Sequence, residues 1–264
     1  NNGKLTVVSS GYANVGGVCG YITRSAEKDG IFENWVNNGD IVISSQTGMC
    51  LGGVVGQARH YELLECENNG SIAIGEGCPE SIECNIGGIV GYTNGRNTSA
   101  NGEVYITDCV NNGEIKIDKN IIPFVGGIVG YTTQPVTVDG CVNKANVSVH
   151  LTNTNAFHVG GIVGKNGVNS NNVKDGVQVY DCTNEGDISG YTETTEAEGG
   201  WLYVGGCFGS CYGGASSDAL PAAWGTVGCV ADGCVNKGKV RALGGAKFRV
   251  GGINGGMANV LGCE

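Results

Sequence analysis

One short motif, G-G-x-x-G, occurs seven times along this chain of 264 residues and constrains its fold more than any other feature. An apolar residue precedes most copies. The copies begin at Gly16, Gly52, Gly87, Gly126, Gly160, Gly205 and Gly251. A repeat of about 30 to 45 residues is typical of architectures in which each unit is one supersecondary element and only the stack of units buries a continuous core.

A second motif, C-x-N-x-G-x-[IV], lies between the glycine motifs. Its complete copies span Cys66–Ile72, Cys109–Ile115, Cys182–Ile188 and Cys234–Val240. Two further copies deviate at one position each. Trp35 replaces the cysteine ahead of Asn37, and Ala145 replaces the glycine after Cys141 and Asn143.

These recurring residue types predict columns of identical side chains along one axis. Asparagine amides at one position of every coil can bond the backbone of the next coil to form a ladder, and cysteines two positions earlier can stack as small, buried, free thiols. We expect the glycine two positions after each asparagine to need a positive φ. The predicted asparagine ladder comprises Asn37, Asn68, Asn111, Asn143, Asn184 and Asn236. The predicted cysteine column comprises Cys66, Cys109, Cys141, Cys182 and Cys234, with Cys263 in the same position.

Each unit contains three runs that are typical of β-strands. They are the segment around the glycine pair, an alternating run ahead of the cysteine such as Val104–Asp108, and a run after the asparagine such as Ile115–Ile117. No segment has helical periodicity of useful length. The sequence therefore predicts an all-β fold, a β-solenoid like a parallel β-helix, with about seven coils and three short strands per coil. Residues 1–264 are predicted to form a single repeat domain.

The two ends of the sequence follow the same pattern. The chain opens with Asn1-Asn2-Gly3 and closes with Cys263-Glu264, which placed tail to head spell C-E-N-N-G. Two interpretations are open. The sequence is an excerpt from a longer array, or copies of the chain continue the solenoid head to tail as a fibre.

The repeats resemble the Glug motif. The residues that carry the resemblance are Gly88–Gly91, Gly127–Gly130 and Gly161–Gly164, each reading G-I-V-G, and the likeness covers essentially the whole chain. Such repeats occur in large secreted or wall-anchored bacterial proteins, including non-catalytic regions of some immunoglobulin A1 proteases. The resemblance implies an extracellular location, and it carries over no catalytic or binding residues because the family pattern is structural.

Composition and charge narrow the classes of partner. The chain has 49 glycines and only 4 prolines, which is unusual for a globular enzyme. Its formal net charge is -10 and it has no basic run, so nucleic acid is not an expected partner. No apolar stretch approaches the ~20 residues of a membrane span, so we predict no membrane insertion.

The sequence shows no arrangement typical of a catalytic site. The glycine pairs recur with no helix after them, unlike a phosphate-binding loop, and His60, His150 and His158 lack the spacing of a metalloprotease. We therefore predict no enzyme activity, no metal site and no cofactor. Cys78 and Cys84 are close enough for a local disulfide, with two free thiols as the alternative.

Acidic residues recur beside the ladder cysteines, about one per coil, which indicates turn chemistry. Ca²⁺ held between neighbouring coils is the alternative, and it is the one cofactor left open. The residues concerned are Asp108, Asp139, Asp181 and Asp232.

Departures from the repeat are where a binding function is expected. Insertions at 92–103, 165–176 and 210–226 all fall between a glycine motif and a cysteine, so we expect them at one edge of the solenoid. The sixth coil also groups aromatic residues after an acidic, threonine-rich segment, as protein- and carbohydrate-binding surfaces do. The predicted binding residues are Trp201, Tyr203, Tyr212 and Trp224, with the filling of an irregular coil as the alternative.

Together these features predict a non-enzymatic, structural or adhesive solenoid of a bacterial surface protein, secreted or attached to the cell wall. One alternative is a glycan- or immunoglobulin-binding module, whose partner is a host glycan or a host protein. The other is an accessory domain of a large secreted protease or polysaccharide-degrading enzyme.

Overall fold

The computed structural model of the chain describes residues 1–23, 30–59, 61–94, 104–152, 156–167, 176–193, 201–211, 229–244, 247–256 and 259–264. These residues form β-strands numbered β1 to β33 in chain order, and no helix occurs among them. The strands build five sheets, named A to E in the order in which each coil passes through them. The predicted all-β parallel solenoid is confirmed.

Sheet A consists of β1 (Leu5–Ser9), β6 (Ile41–Ser45), β11 (Ile72–Ile74), β16 (Ile115–Ile117), β21 (Val147–Leu151), β26 (Ile188–Thr192) and β31 (Val240–Gly244). Sheet B consists of β2 (Ala13–Gly16), β7 (Met49–Gly52), β12 (Glu83–Gly87), β17 (Ile122–Gly126), β22 (His158–Gly160), β27 (Leu202–Gly205) and β32 (Phe248–Gly251). Sheet C consists of β3 (Cys19–Thr23), β8 (Val55–Arg59), β13 (Val90–Thr93), β18 (Val129–Thr132), β23 (Val163–Asn166) and β28 (Phe208–Cys211).

Sheet D consists of β4 (Ile31–Glu33), β9 (Glu62–Leu64), β14 (Val104–Thr107), β19 (Val136–Asp139), β24 (Val177–Tyr180), β29 (Cys229–Asp232) and β33 (Asn259–Leu261). Sheet E consists of β5 (Val36–Asn37), β10 (Glu67–Asn68), β15 (Val110–Asn111), β20 (Val142–Asn143), β25 (Thr183–Asn184) and β30 (Val235–Asn236).

The seven glycine motifs lie in register on a common face, as a solenoid requires. The first glycine of each motif pairs with the first glycine of the next coil through all seven coils. Every strand pair is parallel, so each coil repeats the path of the coil before it.

Each complete coil has five strands instead of the predicted three. The segment around the glycine pair is two strands, because the chain leaves sheet B at Gly87 and enters sheet C at Val90. The residue pair that contains each ladder asparagine forms a further short strand in sheet E. The sequence predicted one strand where the structure has two, one on each side of the glycine pair. The corner between them was missed because apolar residues continue through it.

Two apolar cores run along the axis. One lies between sheets A and B and contains Ile72 and Ile115, and the other lies among sheets C, D and E and contains Leu63 and Val90. Sheets B and C lie back to back between the cores. Their backbones are so close that a Cβ built on Gly91 of β13 would stand 2.5 Å from the backbone nitrogen of Leu51 in β7. The third glycine of the motif therefore serves this sheet contact.

Candidate functional site

The six predicted ladder asparagines form one continuous file of hydrogen bonds. From Asn1 through Asn37 to Asn184, the side-chain amide donates to the amide oxygen of the asparagine in the next coil, and the file ends at Asn236, with distances of 2.7 to 2.9 Å. The partner in the next coil is thus a side chain and not the backbone that was predicted. Each of the six also donates to the carbonyl two residues ahead. Because all but Asn236 are fully buried, these bonds satisfy amides that water cannot reach.

The second glycine of the first six motifs makes room for this ladder, whereas a Cβ on Gly252 in the seventh motif would meet nothing within 4 Å. A Cβ on Gly88 would overlap the Asn111 amide on one side and the Gly127 carbonyl on the other. The glycine after the asparagine has a different role from the one expected. Gly70 is not among the residues with positive φ; it is required because a Cβ there would overlap the carbonyl oxygen of Gly39 in the preceding coil.

The positive φ lies instead at the residue directly before the cysteine position. All seven coils share it, with φ between 49° and 65°, at Asn34, Glu65, Asp108, Gly140, Asp181, Gly233 and Gly262. Asparagine, aspartate and glycine tolerate this conformation best. Asp108 and Asp181 therefore sit at the turn itself, whereas Asp139 and Asp232 lie one position earlier, in sheet D. The aspartates thus belong to two columns.

The cysteine column is buried and its thiols are free. The backbone N–H of Cys66 donates to the sulfur of Cys109, and the same bond joins Cys109 to Cys141 and Cys141 to Cys182, at 3.3 to 3.4 Å. Burial raises the pKa of the Cys141 thiol well above its usual value, which suppresses the nucleophilic thiolate. The column is therefore a packing element.

The local disulfide between Cys78 and Cys84, one of the two alternatives that the sequence left open, does not form. Cys78 and Cys84 are free thiols, and the disulfide of the structure joins Cys211 at the end of sheet C to Cys229 at the start of sheet D. Trp35, in the cysteine position of the first coil, is half-buried against Phe32, with the ring centroids 4.8 Å apart.

A polar and aromatic layer lies between sheets B and C, and the repeat pattern did not predict it. We call this layer the seam; it lies at the side away from the glycine corner and is held together by contacts between the two sheets and along their columns. Its members in sheet B are Cys50, Asn85, Phe124, His158, Tyr203 and Arg249, and those directly before a sheet B strand are Tyr12, Trp201 and Lys247. Its members in sheet C are Tyr92, Tyr131, Lys165 and Ser210.

In the first half of the seam, the Tyr12 hydroxyl contacts the Cys50 sulfur at 2.9 Å, and Asn85 donates to the same sulfur. Burial, more than any other cause, raises the pKa of Cys50 to about 11. Further along, the rings of Tyr92 and Tyr131 stack with centroids 5.4 Å apart. These contacts tie neighbouring coils together.

In the middle of the seam, His158 stacks on Tyr203 and lies 2.5 Å from the Ser210 hydroxyl through its Nδ1 atom. Burial, assisted by the positive charge of Lys165, lowers the pKa of His158 well below its usual value. A serine next to a neutral histidine is the beginning of a hydrolytic dyad, but nucleophilic attack requires an accessible serine. Ser210 is fully buried, so the pair serves to pack the seam.

The predicted aromatic cluster of the sixth coil is only partly in the described residues. Tyr212 and Trp224 lie outside them. Tyr203 is 4% exposed and belongs to the interior of the seam, whereas Trp201 is 36% exposed at its mouth. Trp201 is accompanied by two cations, since the Arg249 guanidinium carbon lies 4.4 Å from its ring centroid and the Lys247 ammonium lies 6.0 Å away.

The three insertions all connect sheet C to sheet D. They follow β13, β23 and β28 and precede β14, β24 and β29, so the strands that flank them share one edge of the solenoid. Most of their own residues lie outside the described ranges.

Within the described ranges, histidine, cysteine and acidic side chains form no group of three or more that could hold a metal ion. The same residues include no helix with the length and apolar character needed to span a membrane.

The fold thus defines the protein as a parallel β-solenoid. No protein-family model, curated protein or solved structure matches this chain. The likeness to Glug repeats therefore depends on the motif residues alone.

Proposed function

We propose that the protein is a non-enzymatic, extracellular structural or adhesive solenoid of a bacterial surface protein, of the kind that Glug-like repeats imply. The observation that carries the proposal is the ladder that runs without interruption from Asn1 to Asn236 beside two continuous apolar cores. Such an interior is a rigid spacer. At about 4.8 Å per coil, the first and seventh coils are about 29 Å apart.

Two further features support this role. The Cys211–Cys229 disulfide suits an oxidising, extracellular compartment. The strands that flank the insertions share one edge, and a rigid scaffold with variable loops at one edge is a common way to present a contact surface. The partner on that surface is a host glycan or a host protein.

Surface labelling tests the proposal directly. Intact cells that express the full-length protein are treated with a biotin reagent that does not cross membranes, and the recovered protein is mapped by mass spectrometry. We expect biotin on exposed lysines of this chain, such as Lys239, at a level comparable to a known surface protein. Labelling only after cell lysis, at the level of a cytoplasmic control protein, would overturn the extracellular role.

A further inference from the structure

We propose that Trp201, Lys247 and Arg249 form a binding site for an acidic saccharide, a sugar ring that carries a carboxylate. The inference deepens the adhesive role proposed above by naming a ligand class. Its binding test uses purified protein and does not depend on where the protein resides.

The geometry places an accessible indole beside two positive charges. Arg249 and Lys247 lie over the ring of Trp201, and Arg249 Nη1 also donates to the Tyr203 hydroxyl at 3.4 Å, which holds the guanidinium at the seam. Trp201 is 36% exposed, so a ligand can reach its ring.

The segment that supplies Lys247 and Arg249 has a charge opposite to that of the whole chain. The chain carries -10, yet the segment 233–263 has five lysines and arginines and no acidic residue. In the part of the chain that the structure describes, neither Lys247 nor Arg249 forms an ion pair with a carboxylate. Lys237, by contrast, pairs with Glu185 at 3.0 Å. Two cations with no carboxylate partner among the described residues, beside one exposed indole, favour an anionic ligand.

The combination selects a sugar acid among anions. The face of a pyranose ring presents C–H groups that pack on an indole, and a guanidinium can bind a carboxylate through two parallel hydrogen bonds. A long polyanion such as nucleic acid is disfavoured because the acidic remainder of the chain repels it and because phosphate tracking needs many cations. An acidic peptide offers the carboxylate but not the stacked ring.

Titration calorimetry of the full chain at low ionic strength tests the proposal with matched probes. The probes are oligogalacturonate, its fully methyl-esterified form of equal length, and polyglutamate. We expect binding of the acid form and at least about tenfold weaker binding of the ester, as the loss of charge-assisted bonds implies. We expect Arg249→Gln and Trp201→Ala each to weaken binding of the acid form about tenfold.

The control variant is Lys239→Gln, which removes one exposed positive charge from the same segment but ahead of sheet A, away from the seam. We expect it to change the affinity less than about twofold, as for a charge screened by solvent. If circular dichroism shows that Trp201→Ala is misfolded, Trp201→Phe replaces it in the test. The phenylalanine variant keeps an aromatic ring and should retain most of the binding.

Three results would overturn the proposal. Equal weakening by Lys239→Gln and Arg249→Gln would reveal non-specific attraction, and equal binding of acid and ester would exclude carboxylate recognition. Binding of polyglutamate as tightly as oligogalacturonate would indicate an acidic protein partner instead. None of these three results affects the outcome of the surface-labelling experiment. The two experiments therefore distinguish failure of the binding-site proposal from failure of the extracellular role.

Discussion

Replacing Asn111 by alanine tests whether the buried amide ladder holds the coils together. The side chain of Asn111 takes part in four hydrogen bonds. It donates to the Gly113 carbonyl at 3.1 Å and to Asn143 Oδ1 at 2.9 Å, and it accepts from Asn68 Nδ2 at 2.8 Å and from the Gly113 N–H at 3.2 Å. Asn111 is fully buried.

The expected loss follows from the groups that the variant leaves behind. The Gly113 N–H, the Gly113 carbonyl and Asn143 Oδ1 would each lose their Asn111 partner, while Asn68 Nδ2 keeps its bond to Gly70. A buried polar group without a partner costs about 1–3 kcal/mol, so the three together should lower the free energy of unfolding by about 3–9 kcal/mol. Water that enters the space left by the side chain would bring the loss toward the lower end of that range.

The neighbouring residue provides a matched control. Asn112 is exposed and its amide bonds to Glu67 and Asn69 at 2.7 Å, where water can replace either partner. We expect Asn112→Ala to change the free energy of unfolding by no more than about 0.5 kcal/mol.

Urea unfolding followed by circular dichroism measures both variants, and hydrogen exchange shows whether protection is lost in the coils next to the substitution. Local measurement matters because repeat arrays do not always unfold in one cooperative step. If Asn111→Ala proves as stable as Asn112→Ala, the ladder does not stabilise the coils and the reasoning is refuted. If Asn111→Ala does not fold at all, Asn236→Ala, at the half-buried end of the ladder, should show a smaller loss of the same kind.

Three further predictions concern other parts of the fold. Gly88→Ala should destabilise by at least about 1–3 kcal/mol in urea because its Cβ overlaps backbone and the Asn111 amide, whereas Gly11→Ala, with nothing within 4 Å, should be neutral; equal midpoints would contradict this. Asp108→Val should cost about 1–2 kcal/mol in the same assay because φ is 52° there, whereas Asp108→Gly should stay within about 0.5 kcal/mol; a tolerated valine would show that the turn can relax. The pKa of His158 is lowered in the folded state, so the neutral side chain contributes stability at pH values above the unfolded pKa of ~6.5. As the pH falls below ~6.5, this stability is lost by up to about 1.4 kcal/mol per pH unit. His158→Gln should remove that dependence between pH 6.5 and 5 in thermal unfolding scans, and an unchanged pH profile would contradict the assignment.

The repeat made much of this architecture predictable. Asparagines and glycine pairs recur at constant positions of the repeat. This recurrence predicts that equivalent positions contact each other in neighbouring coils and stack in register. The ladder from Asn37 to Asn236 follows from this logic. The role of Gly70 could not be predicted in this way. A close approach to the Gly39 carbonyl and a positive φ both require glycine, so the sequence does not distinguish them.

Sequence alone determined the solenoid, its seven coils and the columns of asparagine and cysteine, because these depend on contacts between equivalent positions. The seam was decided by tertiary structure. It depends on sheets B and C meeting back to back, which brings together non-equivalent residues such as His158 and Ser210, 52 positions apart, or Phe124 and Lys165. The spacing between such residues does not recur along the chain, so no sequence pattern predicts that they meet. Only the folded path of the coil brings their side chains into contact.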